Sequence, residues 1–391
     1  MVTYPQDWQE KNLLDCVQLI QGLTYKPENV ISFGTLVLRS SNIKNNRLEL
    51  LDNVFVNLPV NEEKMIQDGD ILVCVRNGSS ALIGKSCVLK KIPNTTFGAF
   101  MSVLRGDKTG FIAKIFESDI VQQQVRNRSS ATINQITKKD FESIKIFLPP
   151  IEEQKAIAET LSTFDEYIDD LAALIEKKKN IRAAALEDLM SGKIRLPGFS
   201  GDWQEKTLGE IADFYSGGTP SNNAENYNGK IPFIRSGEIH FDKTELFITE
   251  KGLKNSSASM VQKGNLLYAL YGATAGECDI SKITGAINQA ILCIVPKNFD
   301  RVFLKNWFIQ KKTRILNKYL QGGQGNLSAM LIKKLCGKFP PIEEQKAIAE
   351  ILTAMDEEIN SLTAEREKVI SIREGAMDEL LTGKIRLKSE M

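Results

Sequence analysis

The segment PPIEEQKAIAE occurs twice in this chain, at residues 149–159 and 340–350, without one difference. The similarity extends further, because residues 150–196 and 341–387 align without gaps and 27 of these 47 positions are identical. The two copies end in SGKIRL and TGKIRL. Two copies are too few for a solenoid, so the repeat predicts a closed two-fold arrangement.

A second pair of matching segments is DWQEKNL from residue 7 and DWQEKTL from residue 202. Between the matching segments the two halves share little, so variable and repeated stretches alternate in a nearly circular order. We expect a variable domain at 1–149, a helical spacer at 150–196, a second variable domain at 197–340 and a second helical spacer at 341–391.

Each repeated segment is expected to form one long helix. Pro150 and Pro341 suit the first helical position, and the glutamates that follow complement the positive end of the helix dipole. Gly192 and Gly383 suit the C-terminal cap. About 40 residues at roughly 1.5 Å each would give a helix on the order of 60 Å long.

Apolar residues in both segments recur at steps of three and four, which predicts a coiled-coil seam. The predicted seam consists of Ile157, Leu161, Phe164, Ile168 and Leu171 in the first copy and Ile348, Leu352, Met355, Ile359 and Leu362 in the second. A two-fold axis that crosses the pair would make the helices antiparallel, with the variable domains at opposite ends. Both copies become polar at Arg182 and Arg373, where either the packing loosens or buried charge pairs set the register.

The variable segments have the pattern of mixed α/β domains. Strand-like runs lie at 36–39, 70–75, 144–148, 231–235, 266–271 and 290–295, and helical stretches at 111–125 and 301–320. The predicted fold class is therefore α+β, with two globular α/β domains separated by two long antiparallel coiled-coil helices in a pseudo-two-fold, circular organisation.

Composition indicates a globular protein, with 42% hydrophobic and 25% charged residues. The net charge is only +1, but residues 297–338 contain ten Lys or Arg against one Asp, and residues 71–115 contain seven against one. Such basic stretches indicate either surfaces that approach phosphate or ordinary solvated faces. No signal peptide or membrane span is recognisable, so we expect a cytoplasmic protein without membrane contact.

Catalytic and metal-binding patterns are missing from the sequence. The single histidine, His240, excludes motifs that need two, and no phosphate-binding loop of the G-x-x-x-x-G-K-[ST] type or [DNS]-P-P-[YF] methyltransferase motif occurs. The six cysteines never form C-x-x-C and are expected to be reduced core residues. We therefore predict no catalytic residue, no metal site and no cofactor in this chain.

Glycine-rich loops and a recurring Arg-Ser pair mark candidate DNA contacts, because glycine admits phosphate close to the backbone and Arg, Asn and Gln recognise base edges. The alternatives are tight turns and side chains that support the domain. The candidates are Arg39, Ser40, Arg76, Asn77, Arg105, Arg126, Arg128, Gln135, Thr219, Arg235, Ser236, Tyr271, Lys311, Lys312, Arg314, Gln324 and Asn326.

The duplicated PPIEEQKAIAE…GKIRL helix, alternating with divergent domains, resembles the specificity subunits of type I restriction-modification systems over essentially the whole chain. The resemblance implies two target-recognition domains, each recognising one half of a bipartite, asymmetric DNA site in the major groove. It also implies no activity in the chain alone. Two modification subunits would use S-adenosylmethionine to methylate adenine, and two restriction subunits would use ATP and Mg²⁺ to cleave unmodified DNA.

Identical helices would give two identical modification subunits equivalent docking surfaces. The candidate contacts on the outer helix faces are Glu153, Gln154, Glu159, Glu344, Gln345 and Glu350. Two other hypotheses stay open at this point: a structural coiled-coil adaptor without a DNA role, and a free-standing methyltransferase or restriction enzyme.

Overall fold

The computed structural model describes residues 3–128, 134–320 and 326–387. Its strands are β1 Gln9–Asn12, β2 Gln18–Gln21, β3 Val30–Ile31, β4 Thr35–Leu38, β5 Ile43–Lys44, β6 Arg47–Leu48, β7 Val54–Val56, β8 Ile71–Cys74, β9 Ser86–Val88, β10 Thr95–Phe97, β11 Met101–Arg105, β12 Lys145–Leu148, β13 Gln204–Thr207, β14 Ala212–Ser216, β15 Tyr227–Ile234, β16 Leu246–Ile248, β17 Ser259–Val261, β18 Leu266–Ala269, β19 Cys278–Ile280, β20 Gly285–Ile287, β21 Ile291–Pro296 and β22 Cys336–Phe339. Its helices are α1 Phe111–Glu117, α2 Asp119–Arg128, α3 Lys138–Glu142, α4 Ile151–Ser191, α5 Leu208–Ile211, α6 Glu250–Lys254, α7 Arg301–Leu320, α8 Ala329–Lys333 and α9 Ile342–Leu380. The predicted α+β class is confirmed.

The two repeated segments form the long helices α4 and α9, of 41 and 39 residues. Both end as predicted, because Gly192 and Gly383 each have φ of 69°, a left-handed conformation that glycine adopts without a steric cost. Pro150 and Pro341 lie one residue before the first helical position, and their carbonyl oxygens accept hydrogen bonds from the backbone N–H of Gln154 and Gln345.

The chain divides into two compact units, and each long helix contributes to both. Unit 1 comprises residues 1–172 and 364–391, and unit 2 comprises residues 173–363. Each unit therefore contains one variable segment, part of α4 and part of α9.

Unit 1 contains two four-stranded sheets, a two-stranded ribbon and the short antiparallel pair β5–β6. One sheet has the order β2-β11-β8-β9 and is antiparallel, and the other has the order β10-β4-β7-β3 with a parallel β10–β4 pair. The ribbon pairs β1 with β12, which leads directly into α4.

Unit 2 repeats this plan. Its sheets have the orders β14-β21-β18-β19 and β16-β15-β20-β17, the β15–β20 pair is parallel, and the ribbon β13–β22 leads into α9. The divergent variable segments therefore build the same fold, which the predicted two-fold repeat requires.

The long helices share a core with the domain in each unit. In unit 1, Ile157 and Leu161 of α4 and Met377 and Leu380 of α9 belong to the same buried cluster as Phe111. In unit 2, the corresponding cluster combines α4, α9 and α7 through Leu186, Leu189, Ile348, Leu352 and Trp307. The first seam residues therefore pack into the domain core as well as between helices. Of the other seam residues, Ile168 and Leu171 are buried, whereas Phe164, Met355, Ile359 and Leu362 are half-buried.

Contacts within each unit show that the helices run antiparallel, as predicted. In unit 1, Tyr167 Oη donates a hydrogen bond of 2.5 Å to Glu365, while Glu153 near the start of α4 bonds to Arg386 beyond the end of α9. In unit 2, Arg195 beyond the end of α4 bonds to Glu344 near the start of α9, while Lys178 of α4 forms a 2.6 Å ion pair with Glu358 of α9.

The polar positions in the seam form charge pairs rather than a loosened segment. In unit 1, Arg373 contacts Asp165 of α4 at 2.6 Å and Glu117 of α1 at 2.9 Å, and Lys114 of α1 contacts the same Asp165 at 2.6 Å. Burial raises the pKa of Glu117. Burial also opposes ionisation of Asp165, but the hydrogen bonds from Lys114 and Arg373 prevail and lower its pKa. We call these four residues the Arg373 cluster.

The equivalent pair in unit 2 is simpler. Arg182 of α4 donates to both carboxylate oxygens of Asp356 of α9, at 2.8 and 2.9 Å, and to the amide oxygen of Asn306 of α7, at 2.8 Å. In both units an arginine from one long helix therefore connects the other long helix to the domain.

One predicted helix differs from the structure. The stretch 111–125 is two helices, because Ser118 has extended backbone dihedrals (φ −69°, ψ 154°) and its hydroxyl donates to the carbonyl of Ile115 at 2.6 Å. A serine hydroxyl that bonds to the preceding turn competes with helix propagation. By contrast, the predicted helix 301–320 is α7 over its whole length.

Candidate nucleic-acid interface

Four loops converge in unit 1, and we call them loop cluster 1: residues 39–42, 76–79, 98–100 and 134–136. The side-chain amide of Asn77 donates to Ser40 Oγ at 3.0 Å, and its backbone N–H donates to the carbonyl of Asn134 at 3.1 Å. The backbone N–H of Arg76 donates to the carbonyl of Phe100 at 3.2 Å. These hydrogen bonds hold the loops together.

The backbone at Gly22 lies very close to the backbone at Gly98, which is part of loop cluster 1. A Cβ atom on Gly22 would lie 2.0 Å from the carbonyl oxygen of Gly98, so only glycine fits at this position. The buried side chain of Asn42 fixes the first loop, because its Oδ1 accepts from the N–H of Arg39 at 2.9 Å and its amide donates to the carbonyl of Glu49 at 3.0 Å.

Arg76 is the exposed cation at the centre of loop cluster 1. Its guanidinium lies 5.2 Å from the centre of the Phe100 ring, and Phe100 is itself 56% exposed. Arg76 forms an antiparallel β-bridge with Gln135, which places these two residues directly opposite each other. Within the described residues no carboxylate pairs with Arg76, so its donors remain available to a ligand.

Loop cluster 2 is the equivalent region of unit 2 and comprises residues 235–238, 271–276, 288–290 and 326–328. The backbone hydrogen bonds are conserved between the units: Leu270 N–H donates to Ala290 and Leu327 N–H to Leu270, as Val75 donates to Phe100 and Ile136 to Val75 in unit 1. The close approach also recurs, because a Cβ on Gly217 would lie 1.8 Å from the carbonyl oxygen of Ile287.

The side chains of the two loop clusters differ although their backbones match. Tyr271, half-buried, follows Leu270 in the place where Arg76 follows Val75, and Ala290 takes the place of Phe100. Thr219 donates a hydrogen bond to Gln289, and Asn326 is exposed. One framework therefore presents two different sets of hydrogen-bonding groups.

The recurring arginines of the Arg-Ser pairs are held by carboxylates. Arg39 forms a 2.7 Å ion pair with Asp52, and Arg235 contacts Glu238 at 3.0 Å and Glu245 at 2.6 Å. Although burial opposes ionisation of Glu238, hydrogen bonds from Arg235 and the backbone lower its pKa to about 2. This arrangement favours the alternative that both arginines stabilise their turns, with Ser40 and Ser236 half-buried beside them.

Three other predicted DNA contacts have charged heads that are bound by groups of their own domain. Arg105 forms a buried bidentate pair with Asp70 at 2.7 and 2.8 Å and also donates to the carbonyls of Glu63 and Met65. Arg128 donates to Ser143 and to the carbonyl of Gln124, and Lys312 pairs with Glu277. Arg126 lies 3.4 Å from Asp119. Gln324 lies outside the described residues, and Lys311 and Arg314 are on α7.

The predicted docking residues divide into two groups. Glu159 and Glu350 are exposed, as an outer helix face requires. Glu153, Glu344 and Gln345 are buried and Gln154 is half-buried, so the prediction that these four lie on the outer face is wrong.

Intramolecular partners explain this burial. Arg386 bonds to Glu153 at 2.7 and 2.8 Å and Arg195 bonds to Glu344 at 2.6 and 2.7 Å. The amides of the two glutamines donate at 2.9 Å to the carbonyls of Pro149 and Pro340.

The sequence places Arg195 and Arg386 at the negative ends of the long helices, but it did not predict that they bind the glutamates and the starts of the domains. Arg386 also bonds to Asp7 and lies 6.0 Å from the Trp8 ring, and Arg195 lies 5.8 Å from the Trp203 ring. The signal was present, since the Arg of KIRL and the Trp of DWQEK are repeated together. These contacts join each domain start to the helix start within its unit.

The described part of the chain shows no arrangement of three or more His, Cys, Asp or Glu side chains that could hold a metal ion. No helix among the described residues is long and apolar enough to cross a membrane.

The six cysteines are free, and Cys74, Cys87, Cys278 and Cys293 are buried. Burial raises the pKa of the Cys87 thiol to about 12.

The chain contains two copies of one α/β framework, and each copy is built onto a pair of long helices. The loops of the two copies differ. This arrangement is that of a duplicated recognition protein. The family model described as type I restriction modification DNA specificity domain matches the chain twice, at residues 5–181 and 200–371. The chain therefore belongs to this family and carries two of its domains in tandem.

Relatives support the assignment. The chain is 28% identical over 378 residues to the type I restriction enzyme EcoKI specificity subunit of Escherichia coli K12, which covers 88% of this chain and 81% of that protein. An S subunit of a type I restriction-modification system from M. genitalium has the same fold, with a TM-score of 0.64 at 19% identity over 95% of this chain and 96% of that one.

A chain from a structure that concerns complex assembly and conformational transition of the type I R-M system also has this fold. The TM-score is 0.59 at 15% identity, over 98% of this chain and 100% of that one. The hypothesis of a coiled-coil adaptor without DNA recognition is not supported by these relationships.

Proposed function

We propose that each domain recognises one half of a bipartite, asymmetric DNA site through its loop cluster. One observation supports this proposal most: loop clusters 1 and 2 share a backbone framework but carry different side chains. In unit 1, Arg76 and Gln135 are the main candidates for base contacts, because Arg matches the guanine edge and Gln the adenine edge in the major groove. In unit 2, Tyr271 and Asn326 occupy the corresponding positions, and Gln289 beside them is a further candidate.

The chain itself contributes no catalytic group in this proposal. It positions two modification subunits that methylate adenine with S-adenosylmethionine, and restriction subunits that use ATP and Mg²⁺ to cleave unmodified DNA, in the cytoplasm. The relatedness to named specificity subunits, and to a chain in a structure of type I R-M complex assembly, supports this scaffold role. Glu159 and Glu350 are the proposed docking residues, because both are exposed at identical positions of α4 and α9.

Substitutions of Arg76 can distinguish a contact with a base from a general attraction of its positive charge to DNA. Arg76→Lys keeps the positive charge but removes the planar fork of donors, so one base position of one half-site should lose its preference while the salt dependence of binding stays unchanged. Arg76→Ala should remove the base preference, at a cost of about 1–3 kcal/mol in discrimination, and should also reduce the salt slope by up to about one unit. Selection of duplexes from a random library by the full chain measures the base preference, and affinity for one duplex at several NaCl concentrations measures the salt dependence.

Lys139→Ala is the matched control, because Lys139 is an exposed cation of α3 in the same unit. Loss of preference in both half-sites from Arg76→Lys, or no loss in either, would count against recognition by loop cluster 1.

Docking is tested by charge reversal. Glu159→Lys should reduce the number of bound modification subunits from two to one, and adding Glu350→Lys should remove the second, as counted by native mass spectrometry. Glu176→Lys, at another exposed position of α4, should leave two subunits bound. Retention of both subunits by the double variant would place the docking surface elsewhere.

A further inference from the structure

A basic groove lies in unit 2 beside α7, outside loop cluster 2. Its volume is about 530 Å³, and it is lined by α7, the end of α4, β13 and the α8–β22 segment. Its cations are Lys311, Arg314, Lys318, Lys334 and Lys338. We call it the α7 groove.

The cations of the α7 groove are not neutralised within the described residues. None of the five forms an ion pair there, and Arg314, Lys318, Lys334 and Lys338 are exposed while Lys311 is half-buried. Glu205 is the acidic residue of the lining, and it lies opposite Lys338 in the β13–β22 ladder. The other four cations have no acidic residue of the lining opposite them, in contrast to Lys312, which pairs with Glu277 on another face of α7.

The spacing of these cations fits a phosphate backbone. Lys311, Arg314 and Lys318 follow one another at three and four residues, which places them on one helix face. At roughly 1.5 Å per residue they span about 10 Å, which corresponds to about three nucleotide steps of one strand at 3.4 Å of duplex axis per step. A stripe of this length matches a strand better than a single anion.

Among the described residues, unit 1 does not repeat this row of cations. Its corresponding helix α2 carries Arg126, near Asp119, and Arg128, bonded to Ser143. The ribbons align by their register, since Gln9 pairs with Leu148 as Gln204 pairs with Phe339, so Phe147 takes the place of Lys338. Phe147 stacks on Tyr4 at 3.8 Å between ring centres. Within the part of the chain that the structure describes, the basic groove is therefore a feature of unit 2.

We propose that the α7 groove binds the phosphate backbone of DNA beside the half-site that unit 2 recognises, without regard to sequence. The inference rests on the proposed function of unit 2 as a DNA-recognition domain. It adds a second, purely electrostatic contact, so the two halves of the chain bind DNA with unequal salt dependence.

The test compares two triple variants of the full chain on a labelled duplex, with affinity measured by fluorescence anisotropy at several NaCl concentrations. Lys311→Gln, Arg314→Gln and Lys318→Gln together should reduce the slope of log affinity against log salt by about 2–3 units, at about 0.9 per phosphate contact. The sequence selected from a random library should not change. The control triple is Lys230→Gln, Lys254→Gln and Lys263→Gln, three exposed lysines of unit 2 outside the groove, and it should leave the slope unchanged.

Equal slopes for the groove variant and the wild type would overturn the proposal, as would equal changes in both triple variants. Loss of an acidic protein partner with an unchanged slope would assign the groove to protein binding instead. If the wild-type chain selects no sequence but the groove variant still lowers the slope, the proposed function fails and the groove stands. Thermal unfolding of both triples checks that the fold is intact.

An independent measurement uses Cys336, an exposed thiol in the groove lining. A photoreactive group attached to Cys336 should crosslink to DNA flanking the unit 2 half-site, with equal yield for different flanking sequences. Cys336→Ser controls for labelling elsewhere. Crosslinks confined to the half-site bases, or no crosslink at all, would contradict a flanking contact.

Discussion

Removal of the Arg373 side chain is expected to destabilise unit 1 strongly. In Arg373→Met the carboxylates of Glu117 and Asp165 lose their shared cation, while the side chain of Glu117 remains only 9% exposed. Loss of one partner from a buried pair costs about 3–5 kcal/mol. Lys114 still neutralises Asp165, so we expect the lower end, about 3 kcal/mol, or roughly a 150-fold rise in the opening equilibrium.

Hydrogen exchange with mass spectrometry is the suitable assay, because peptides from α1 and from the last part of α9 report on unit 1 separately. The exposed pair Lys155–Glu152 on α4 supplies the control, and Lys155→Met should cost about 0–1 kcal/mol. Adding Glu117→Gln to Arg373→Met should recover part of the loss, because the unpaired buried charge is then absent.

The sign of the pH dependence follows from Glu117. Burial raises the pKa of this carboxyl in the folded state. Without Arg373 its pKa rises further, so the folded variant takes up a proton more readily than the unfolded chain. The cost of Arg373→Met should therefore be smaller at pH 5 than at pH 8. A cost no larger than that of Lys155→Met, or a cost that Glu117→Gln fails to reduce, would refute this reasoning.

Three further predictions concern the domains. Arg105→Met should lower the free energy of unfolding by about 3 kcal/mol, because Asp70 stays buried without its partner, and should leave the salt slope of DNA binding unchanged. Glu238→Gln should destabilise unit 2 at pH 7, because the lowered pKa of Glu238 makes its ionised carboxylate stabilising. The difference in stability from the wild type should shrink as the pH falls from about 4.5 toward 2. Urea unfolding at pH 3 and pH 7 measures this difference. Gly217→Ala should cost about 3 kcal/mol or more, since its Cβ would meet a carbonyl oxygen at 1.8 Å, whereas Gly237→Ala, with open space around it, should stay within about 0.5 kcal/mol in thermal unfolding.

The repeated segments made the helices predictable because their signals are local. Proline, glutamate and apolar spacing specify where α4 and α9 begin and which face is apolar, and Gly192 and Gly383 specify where they end. The break at Ser118 was not predicted, because the apolar pattern of α1 and α2 is continuous across it. Only the extended backbone of one serine interrupts it.

The candidate site was less predictable, because a charged residue has the same letter whether it meets solvent or a carboxylate. Arg105 and Asp70 are 35 residues apart in sequence, and no local pattern indicates their bidentate pair. Similarly, the local sequence around Glu153 is that of an exposed helix start. Its burial depends on Arg386, which lies 233 positions later in the sequence. Arg76, unlike Arg105, is exposed and lacks such a partner among the described residues.

The central claim is that two domains on shared helices specify two halves of a DNA site independently. It is tested most directly by sequencing methylated adenines in cells that carry this chain with its modification subunit, before and after residues 1–149 are exchanged for the first domain of another specificity subunit. We predict that one half of the methylated sequence changes while the other half and the gap between them stay the same. A change in both halves, or methylation at the original site, would contradict it.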